Sequence, residues 1–278
     1  MSKYISDLVV AEFDRDVKQE YAQNAQLRST VKVKTGVEGL TERFQKVNQG
    51  MANKKVPQAD VSPMNIDYSH VTATMEDWNA PEYTDIFDAP KINFDERREL
   101  VSLSSKAVAR REDQIIIDAF DDGATLLEVP KTIGSTTGMN TAKFRDAKRL
   151  LDYQTVPGDN RYFLMSSEGL YDMLGDADAD TFDKNAVKAL VQGELSQWLG
   201  FKILTVGYMA EGGLPKTGDD RTAFAYHKDS LGYAIGMNMR TEINYIAQKT
   251  SWLVNTVFSA GAVAIDNKGM VKVIHEES

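Results

Sequence analysis

The chain has 278 residues, 42% hydrophobic and 26% charged, which is an ordinary composition for a folded protein with a sizeable core. It contains no cysteine, so disulfides and thiolate metal sites are excluded. The formal net charge of −9 argues against a dedicated nucleic-acid binder, which normally carries a basic excess. No apolar run approaches the roughly 18 residues of a membrane helix. Residues 1–23 lack the pattern of a signal peptide, so we expect a protein made and used in the cytoplasm.

The first 29 residues have the pattern of an amphipathic arm. Apolar residues recur there at helical spacing, which gives the segment one apolar and one polar face. These residues are Ile5, Leu8, Val9, Phe13, Val17 and Tyr21. A segment this polar has little core of its own, so we expect it to pack on another surface.

Residues 30–75 predict a long two-stranded loop. Residues 31–34 alternate between apolar and charged side chains, and glycine and proline residues interrupt the polar stretch after them. Because an isolated ribbon is not stable alone, we expect the loop to lie on a neighbouring subunit.

The only stretch of the chain that is rich in lysine and arginine lies in or beside this loop. Its basic residues are Arg28, Lys32, Lys34, Arg43, Lys46, Lys54 and Lys55. Acidic residues are interspersed and the only aromatic residue is Phe44. The pattern leaves open a nucleic-acid patch, a solvated strand surface, or charges that pair with acidic neighbours.

Residues 71–122 are the most informative part of the sequence. A short strand over 71–75 leads into an aromatic-rich turn, in which we expect Trp78, Tyr83 and Phe87 to pack as a plug rather than line a pocket. A helix capped by Asn93 then runs from Phe94 to Asp122 and ends at Gly123. Its length is about 40 Å. No heptad persists for three repeats, which argues against a coiled coil.

The second half of the chain predicts an α/β unit followed by strands. The predicted elements are helices over 141–153, 167–174 and 185–198, and strands over 161–165, 201–206, 222–226, 241–246, 252–258 and 262–265. Residues 266–269 then predict a tight hairpin turn into a last strand over 270–274.

Signatures of catalysis and of cofactor or metal binding are absent from the sequence. There is no nucleophile elbow, phosphate loop or dinucleotide fingerprint, and the three histidines, at positions 70, 227 and 275, are isolated. An acidic run follows the start of a calcium loop, but Thr181 and Val187 stand where glycine and a bidentate glutamate are needed. The run consists of Asp176, Asp178, Asp180 and Asp183. It is either a weak cation site or a solvated loop, and we predict no enzyme activity, cofactor or metal.

Six segments in this order resemble the major capsid protein family of tailed bacteriophages, with the Hong Kong 97-type fold. They are VKQEY with LRSTVKVKTGVEG, ATMEDWNAPEYTDIFD, NFDERRELV, VPGDNRYFLMSSEGLYDML, VKALVQGELSQWLGFKI and INYIAQKTSWLVNTVFSAGAVAIDNKGMVKV. The resemblance covers essentially the whole chain.

The resemblance implies an α+β fold with a specific division of the chain. This division is an N-terminal arm (1–30), an extended two-stranded loop (31–75), a peripheral domain with a spine helix (76–140), an axial α/β domain (141–236) and return strands of the peripheral domain (237–278). Residues 212–221 would lie at the axis of a pentamer or hexamer. The candidate intersubunit residues are Arg43, Lys46, Lys54, Lys55, Glu96, Arg97 and Arg98.

The function implied is assembly of the icosahedral shell that encloses the double-stranded DNA genome of a phage. Implied partners are further copies of the chain, a separate scaffolding protein, a portal, and DNA held without sequence-specific contacts. No membrane is implied. The protein would reside in the virion after assembly in the bacterial cytoplasm. The alternatives are an encapsulin-like nanocompartment shell with an enzyme cargo and an unrecognised α/β enzyme. A lysine–asparagine cross-link between subunits stays unassigned.

Overall fold

A computed structural model describes residues 25–48, 50–55, 57–58, 60, 63–87, 96–175, 197–207 and 211–277, with the backbone alone for 96–98. The amphipathic pattern of the arm, the helix cap at Asn93, the acidic run from Asp176 and most of the helix predicted over 185–198 lie outside these residues.

The described elements are three α-helices, thirteen strands and three short 3-10 turns. The helices are α1 (Glu96–Gly123), α2 (Thr141–Tyr153) and α3 (Ser167–Gly175), and the 3-10 turns are Arg28–Thr30, Lys228–Ser230 and Asn267–Gly269. The strands are β1 (Lys32–Thr35), β2 (Thr41–Val47), β3 (Tyr68–Thr74), β4 (Glu76–Asp85), β5 (Glu128–Val129), β6 (Arg161–Ser166), β7 (Gln197–Trp198), β8 (Phe201–Val206), β9 (Lys216–Thr217), β10 (Asp220–His227), β11 (Leu231–Ile246), β12 (Ser251–Ala264) and β13 (Met270–Glu276).

A four-stranded sheet in the order β1-β11-β12-β4 forms the first layer. Its two central strands are long, with 16 residues in β11 and 14 in β12. Successive side chains of a strand point to opposite faces, and the two faces of this sheet differ in residue size. One face carries Leu231, Tyr233, Ile235 and Phe258 beside three alanines of β12, whereas the other carries Gly232, Ala234, Gly261 and Val263.

Helix α1 covers the face with the large side chains. Val108, Ile116, Ile117 and Phe120 of the helix are buried in one cluster with the large residues of β11 and β12. Its 28 residues correspond to a rod of about 42 Å. The end of the predicted long helix at Gly123 is confirmed.

The opposite face carries the antiparallel pair β2 and β3. Phe44, Ala73 and Met75 from this pair and the residue after it are buried against Ala234 and Ile265. The sheet therefore lies between α1 and the base of the predicted extended loop.

A second sheet of seven strands has the order β5-β13-β10-β6-β8-β7, and β9 pairs with β10 at one side. Helix α2, which has the predicted bounds, packs on this sheet through Phe144. The ring of Phe144 stacks on Phe163 at a centroid distance of 3.8 Å and meets Trp198 edge-on at 5.1 Å. This aromatic cluster is the core of the α/β unit.

The hairpin predicted at residues 266–269 is wrong. Strand β12 already pairs with β11 and β4, so it has no free edge for the following strand. The 3-10 turn Asn267–Gly269 instead carries the chain into the other sheet, where β13 pairs with β10 and β5.

The aromatic-rich turn predicted after residue 75 is also wrong, because residues 76–85 form strand β4 and pair with β12 along their whole length. Trp78 packs on the main core as expected. Tyr83 is five residues further, hence on the opposite face, and it and Phe87 are 42% and 64% exposed. Of the three aromatic residues predicted to pack, only Trp78 therefore lies against the core.

One strand prediction and one helix prediction are also wrong in their bounds. The strands predicted separately over 252–258 and 262–265 are one strand, β12, and the end of the helix predicted over 185–198 is strand β7.

A buried ion pair fastens the end of β13 to β10. Arg221 Nε donates to Glu277 Oε2 at 2.5 Å, and both side chains are 4% exposed. The second carboxylate oxygen of Glu277 accepts from Ser166 Oγ and lies 3.2 Å from His275 Nε2. These contacts hold the pKa of Glu277 below its ordinary value against the opposing effect of burial.

Replacing Glu277 with glutamine should lower the stability of the subunit. The change keeps the shape but leaves the Arg221 guanidinium buried without its countercharge, for which a loss of about 3–5 kcal/mol is typical. Chemical denaturation of the unassembled subunit measures it. The matched control is Glu242→Gln, which breaks the exposed pair with Arg240 and should cost less than about 1 kcal/mol. Equal losses in both variants would contradict the prediction.

Candidate subunit interface

The base of the extended loop is held on the body by apolar burial and one ion pair. Phe44 of β2 is 4% exposed, since its ring lies directly over Gly232 of β11. Lys46 Nζ donates to Asp266 Oδ1 at 2.9 Å, which ties β2 to the turn after β12. The backbone of Met75 donates to the carbonyl of Leu40 at 2.8 Å and closes the base.

Beyond this base the loop carries apolar side chains into solvent. Val47 is 55% exposed, Met51 81%, Met64 48% and Tyr68 76%. The two arms still meet, because the backbone of Asn48 donates to the carbonyl of Asp67 at 3.2 Å. Apolar groups gathered on a projecting segment are typical of a protein–protein contact.

The structure places four of the seven predicted intersubunit residues on or beyond β2. Arg43 is exposed and lines a groove of about 340 Å³ with Gln45, Tyr68, Ser69 and His70. Lys54 and Lys55 are exposed on the projecting loop. Lys46 is bound within its own chain by Asp266, so its ammonium already has a partner.

The other three predicted residues lie at the start of α1. Glu96, Arg97 and Arg98 form the first turn of the helix as described, and their side chains lie outside the described part of the structure. The prediction therefore concerns two separate elements, the loop and the helix start.

Sequence reasoning did not single out the exposed apolar residues of the loop, although methionines in a segment without a core were a usable signal.

Residues 26 and 27, just before the first 3-10 turn, are anchored to the middle of α1 by a buried carboxylate. Backbone N–H groups of Gln26 and Leu27 donate to Asp113 at 3.1–3.2 Å, and Leu27 and Asp113 are both buried. Burial raises the pKa of Asp113 to about 6, although the two N–H groups act in the opposite direction. No local pattern indicates this contact, because it joins residues 86 and 87 positions apart.

The segment expected at a capsomer axis packs on α1. Gly212 N donates to Gln114 Oε1 at 2.8 Å, and Arg111 of the helix lies 3.7 Å from Glu211. The Arg111 guanidinium also stacks over Trp78 at 3.6 Å. The start of this segment is thus fixed on the helix, and Leu214 is part of the main core.

The histidines lie in three separate places. His70 lines the small groove on the loop, His227 faces a cleft of about 600 Å³ beside Asp229 and Asp266, and His275 is buried beside Glu277. Within the described residues, no group of three or more histidine, aspartate or glutamate side chains is arranged to hold a metal ion. None of the described helices is long and apolar enough to cross a membrane.

Comparison with known proteins assigns the family. Residues 5–277 match the phage capsid protein family. The chain belongs to the phage capsid protein family. It is a structural protein of the phage head shell, and the Hong Kong 97-type fold expected from the sequence is confirmed by the capsid structures that it resembles. No curated protein sequence matches the chain.

Solved phage heads share the fold at low sequence identity. The head of Helicobacter pylori bacteriophage KHP40 superposes with a TM-score of 0.79 at 11% identity, covering 95% of each chain. The capsid of cyanophage P-SCSP1u gives 0.74 at 15% identity, covering 98% of this chain and 94% of that one. Mycobacterium phage Che8 gives 0.72 at 16% identity, covering 94% of each chain.

The anchoring carboxylate of this capsid protein should make its stability depend on pH. Because the pKa of Asp113 rises from 3.8 to about 6 on folding, its contribution is greatest below pH 4 and is lost as the pH rises through about 6. The melting temperature of wild type relative to Asp113→Asn should therefore fall between pH 4 and pH 7.

The control for this prediction is Asp118→Asn on the same helix. Asp118 is exposed and accepts from Gln114 Nε2 at 2.6 Å. The wild-type and Asp118→Asn melting curves should shift in parallel with pH. A parallel shift of the Asp113→Asn protein as well would show that Asp113 does not titrate in this range.

Proposed function

We propose that this capsid protein is the major subunit of an icosahedral head that encloses the double-stranded DNA genome of a tailed phage. The observation that carries the proposal is a family match over almost the whole chain together with a projecting loop that exposes four apolar side chains. In a monomeric protein these apolar side chains would stay exposed to water, whereas in a shell subunit they can be buried against a neighbour and add contact area. The phage capsid match favours this function over a nanocompartment shell.

In the proposed shell, the extended loop of each subunit lies on a neighbouring copy within a pentamer or hexamer. The apolar residues of the loop would lose their exposure there, and Arg43, Lys54 and Lys55 would supply charged contacts at the rim of the interface. Glu96, Arg97 and Arg98 would meet a neighbour at the start of α1. Lys46 would act within its own subunit.

The proposed domains follow the two sheets only in part. Residues 1–30 would form the arm and 31–75 the loop, although β1 pairs with β11 in the four-stranded sheet. This sheet with α1 would be the core of the peripheral domain (76–140 and 237–278), and it also includes residues 231–236 of β11, whereas β5 pairs in the seven-stranded sheet. The seven-stranded sheet with α2 and α3 would be the core of the axial domain (141–236). Strand β13 pairs within the second sheet, so the return segment would contribute to both domains.

The acidic character of the subunit suits a container for DNA. With a net charge of −9, an inner surface that is also negative would not adhere to the genome, which then repacks freely during entry. The protein would catalyse no reaction and would assemble in the bacterial cytoplasm around a separate scaffolding protein, with a portal at one vertex.

Shortening the loop should separate folding from assembly. In the variant, a short glycine–serine linker replaces residues 51–60, while β2, β3 and the buried Phe44 stay intact. We expect wild type to form uniform polyhedral particles in electron micrographs and the variant to remain as unassembled subunits. The control is circular dichroism with thermal melting, in which both proteins should unfold alike.

Normal particles from the shortened protein would refute the role of the loop. If wild type expressed with its scaffold formed no particles, the proposal of a shell subunit would itself fail.

A further inference from the structure

The small residues beneath the loop are required by space rather than by backbone conformation. Neither Gly232 nor Gly261 has a φ in the left-handed region, so any residue could adopt their backbone geometry. Yet both lie on the face of the four-stranded sheet that receives β2 and β3, and both are in direct contact with that pair.

Gly232 is the seat of the Phe44 ring. A Cβ atom at Gly232 would lie 2.8 Å from three carbons of this ring, well inside normal van der Waals contact. Phe44 is also the most deeply inserted side chain of β2, since it is 4% exposed whereas the other residues of the strand are half-buried or exposed. A methyl group at this point would therefore displace the Phe44 ring, and because the ring is buried we expect β2 to move with it.

Gly261 is the seat of the β3 backbone. A Cβ atom there would lie 2.0 Å from the carbonyl oxygen of Thr74 and 2.8 Å from its carbonyl carbon. Because the obstacle is main chain, no side-chain rotation relieves the collision. The end of β3 would have to move away from β12.

The loop leaves the body from these two seats and from one latch. The latch is the pair formed by Lys46 and Asp266 at 2.9 Å, two residues beyond Phe44. From Phe44 to the end of β2 at Val47 the strand spans about 10 Å, and Met51 follows further along the loop. A small tilt at the seats therefore displaces the apolar residues of the loop by more than the shift at the base.

We propose that Gly232 and Gly261 fix the angle at which the extended loop leaves the subunit, and that this angle determines whether subunits close into a uniform shell. The inference rests on the proposed shell function. It assigns to two buried glycines a positioning role that is distinct from the contacts made by the loop itself.

The first experiment measures the angle in the unassembled subunit. Because the chain has no cysteine, spin labels at Met51→Cys on the loop and Asp118→Cys on α1 report one distance by pulsed electron paramagnetic resonance. Gly232→Ala and Gly261→Ala should each shift the mean distance. The control is Gly158→Ala, where a Cβ atom meets nothing within 4 Å and the distance should stay unchanged.

The second experiment measures assembly of the same variants by electron microscopy. Gly232→Ala and Gly261→Ala should lose uniform closed shells or change their diameter, and Gly158→Ala should assemble like wild type. Adding Phe44→Leu should restore shells to Gly232→Ala, since it removes the ring that collides. It should not rescue Gly261→Ala, whose collision is with main chain.

Three results would overturn the proposal. The first is an unchanged label distance in both seat variants, and the second is normal shells despite a shifted distance. The third is that Phe44→Leu restores shells to neither seat variant or to both of them. Thermal melting identifies a variant that has lost its fold. In that case, the label distance of the other seat variant decides whether the glycines set the angle. Should wild type form no shells, the shell function fails, while the distance experiment still decides whether the glycines set the angle.

Discussion

The subunit depends on the unequal faces of one pair of strands. Strand β11 places bulky side chains toward α1, where β12 adds Phe258 and three alanines, and both strands place small residues or valine toward the base of the loop. Because successive side chains of a strand point to opposite faces, the two sets of residues are separated. A shift of one residue in strand register would exchange the faces, so that neither α1 nor the β2–β3 pair could pack on the sheet. The helix and the loop are therefore held in fixed relation by a single sheet between them.

Buried charges fasten separate segments of the chain to one another, two of them between distant segments and one between α2 and the loop just before it. Asp113 receives the end of the arm, Arg221 and Glu277 join β10 to the end of β13, and Lys143 of α2 donates to the carbonyls of Thr137 and Gly138 at 2.9 and 2.5 Å. Burial lowers the pKa of Lys143 to about 8. Each buried charge is costly without its partner, which restricts these segments to one arrangement.

The sequence predicted the elements whose signals are local. Helix α2 shows a regular apolar spacing behind an asparagine cap, and α1 ends at the predicted glycine. Strand β4 was not predicted because acidic residues and Pro81 interrupt the alternating pattern that is typical of a strand. It tolerates the proline as an edge strand of its sheet, since one side of its backbone needs no partner. The pairing of β13 with β10 and the anchoring of the arm on Asp113 depend on long-range contacts that no local pattern encodes.

The candidate interface was predictable in outline only. The loop and its exposed lysines followed from composition, whereas the internal pairing of Lys46 and the seats beneath Phe44 required the packed structure. We expect the loop to be fixed at its base on its own subunit and to cover a neighbour with its far end. An electron cryomicroscopy reconstruction of the assembled particle would reveal both contacts. In it, β2 and β3 should lie on their own β11 and β12, with Met51 and Met64 buried against an adjacent copy. A loop that folds back on its own subunit, or stays exposed in the shell, would contradict this expectation.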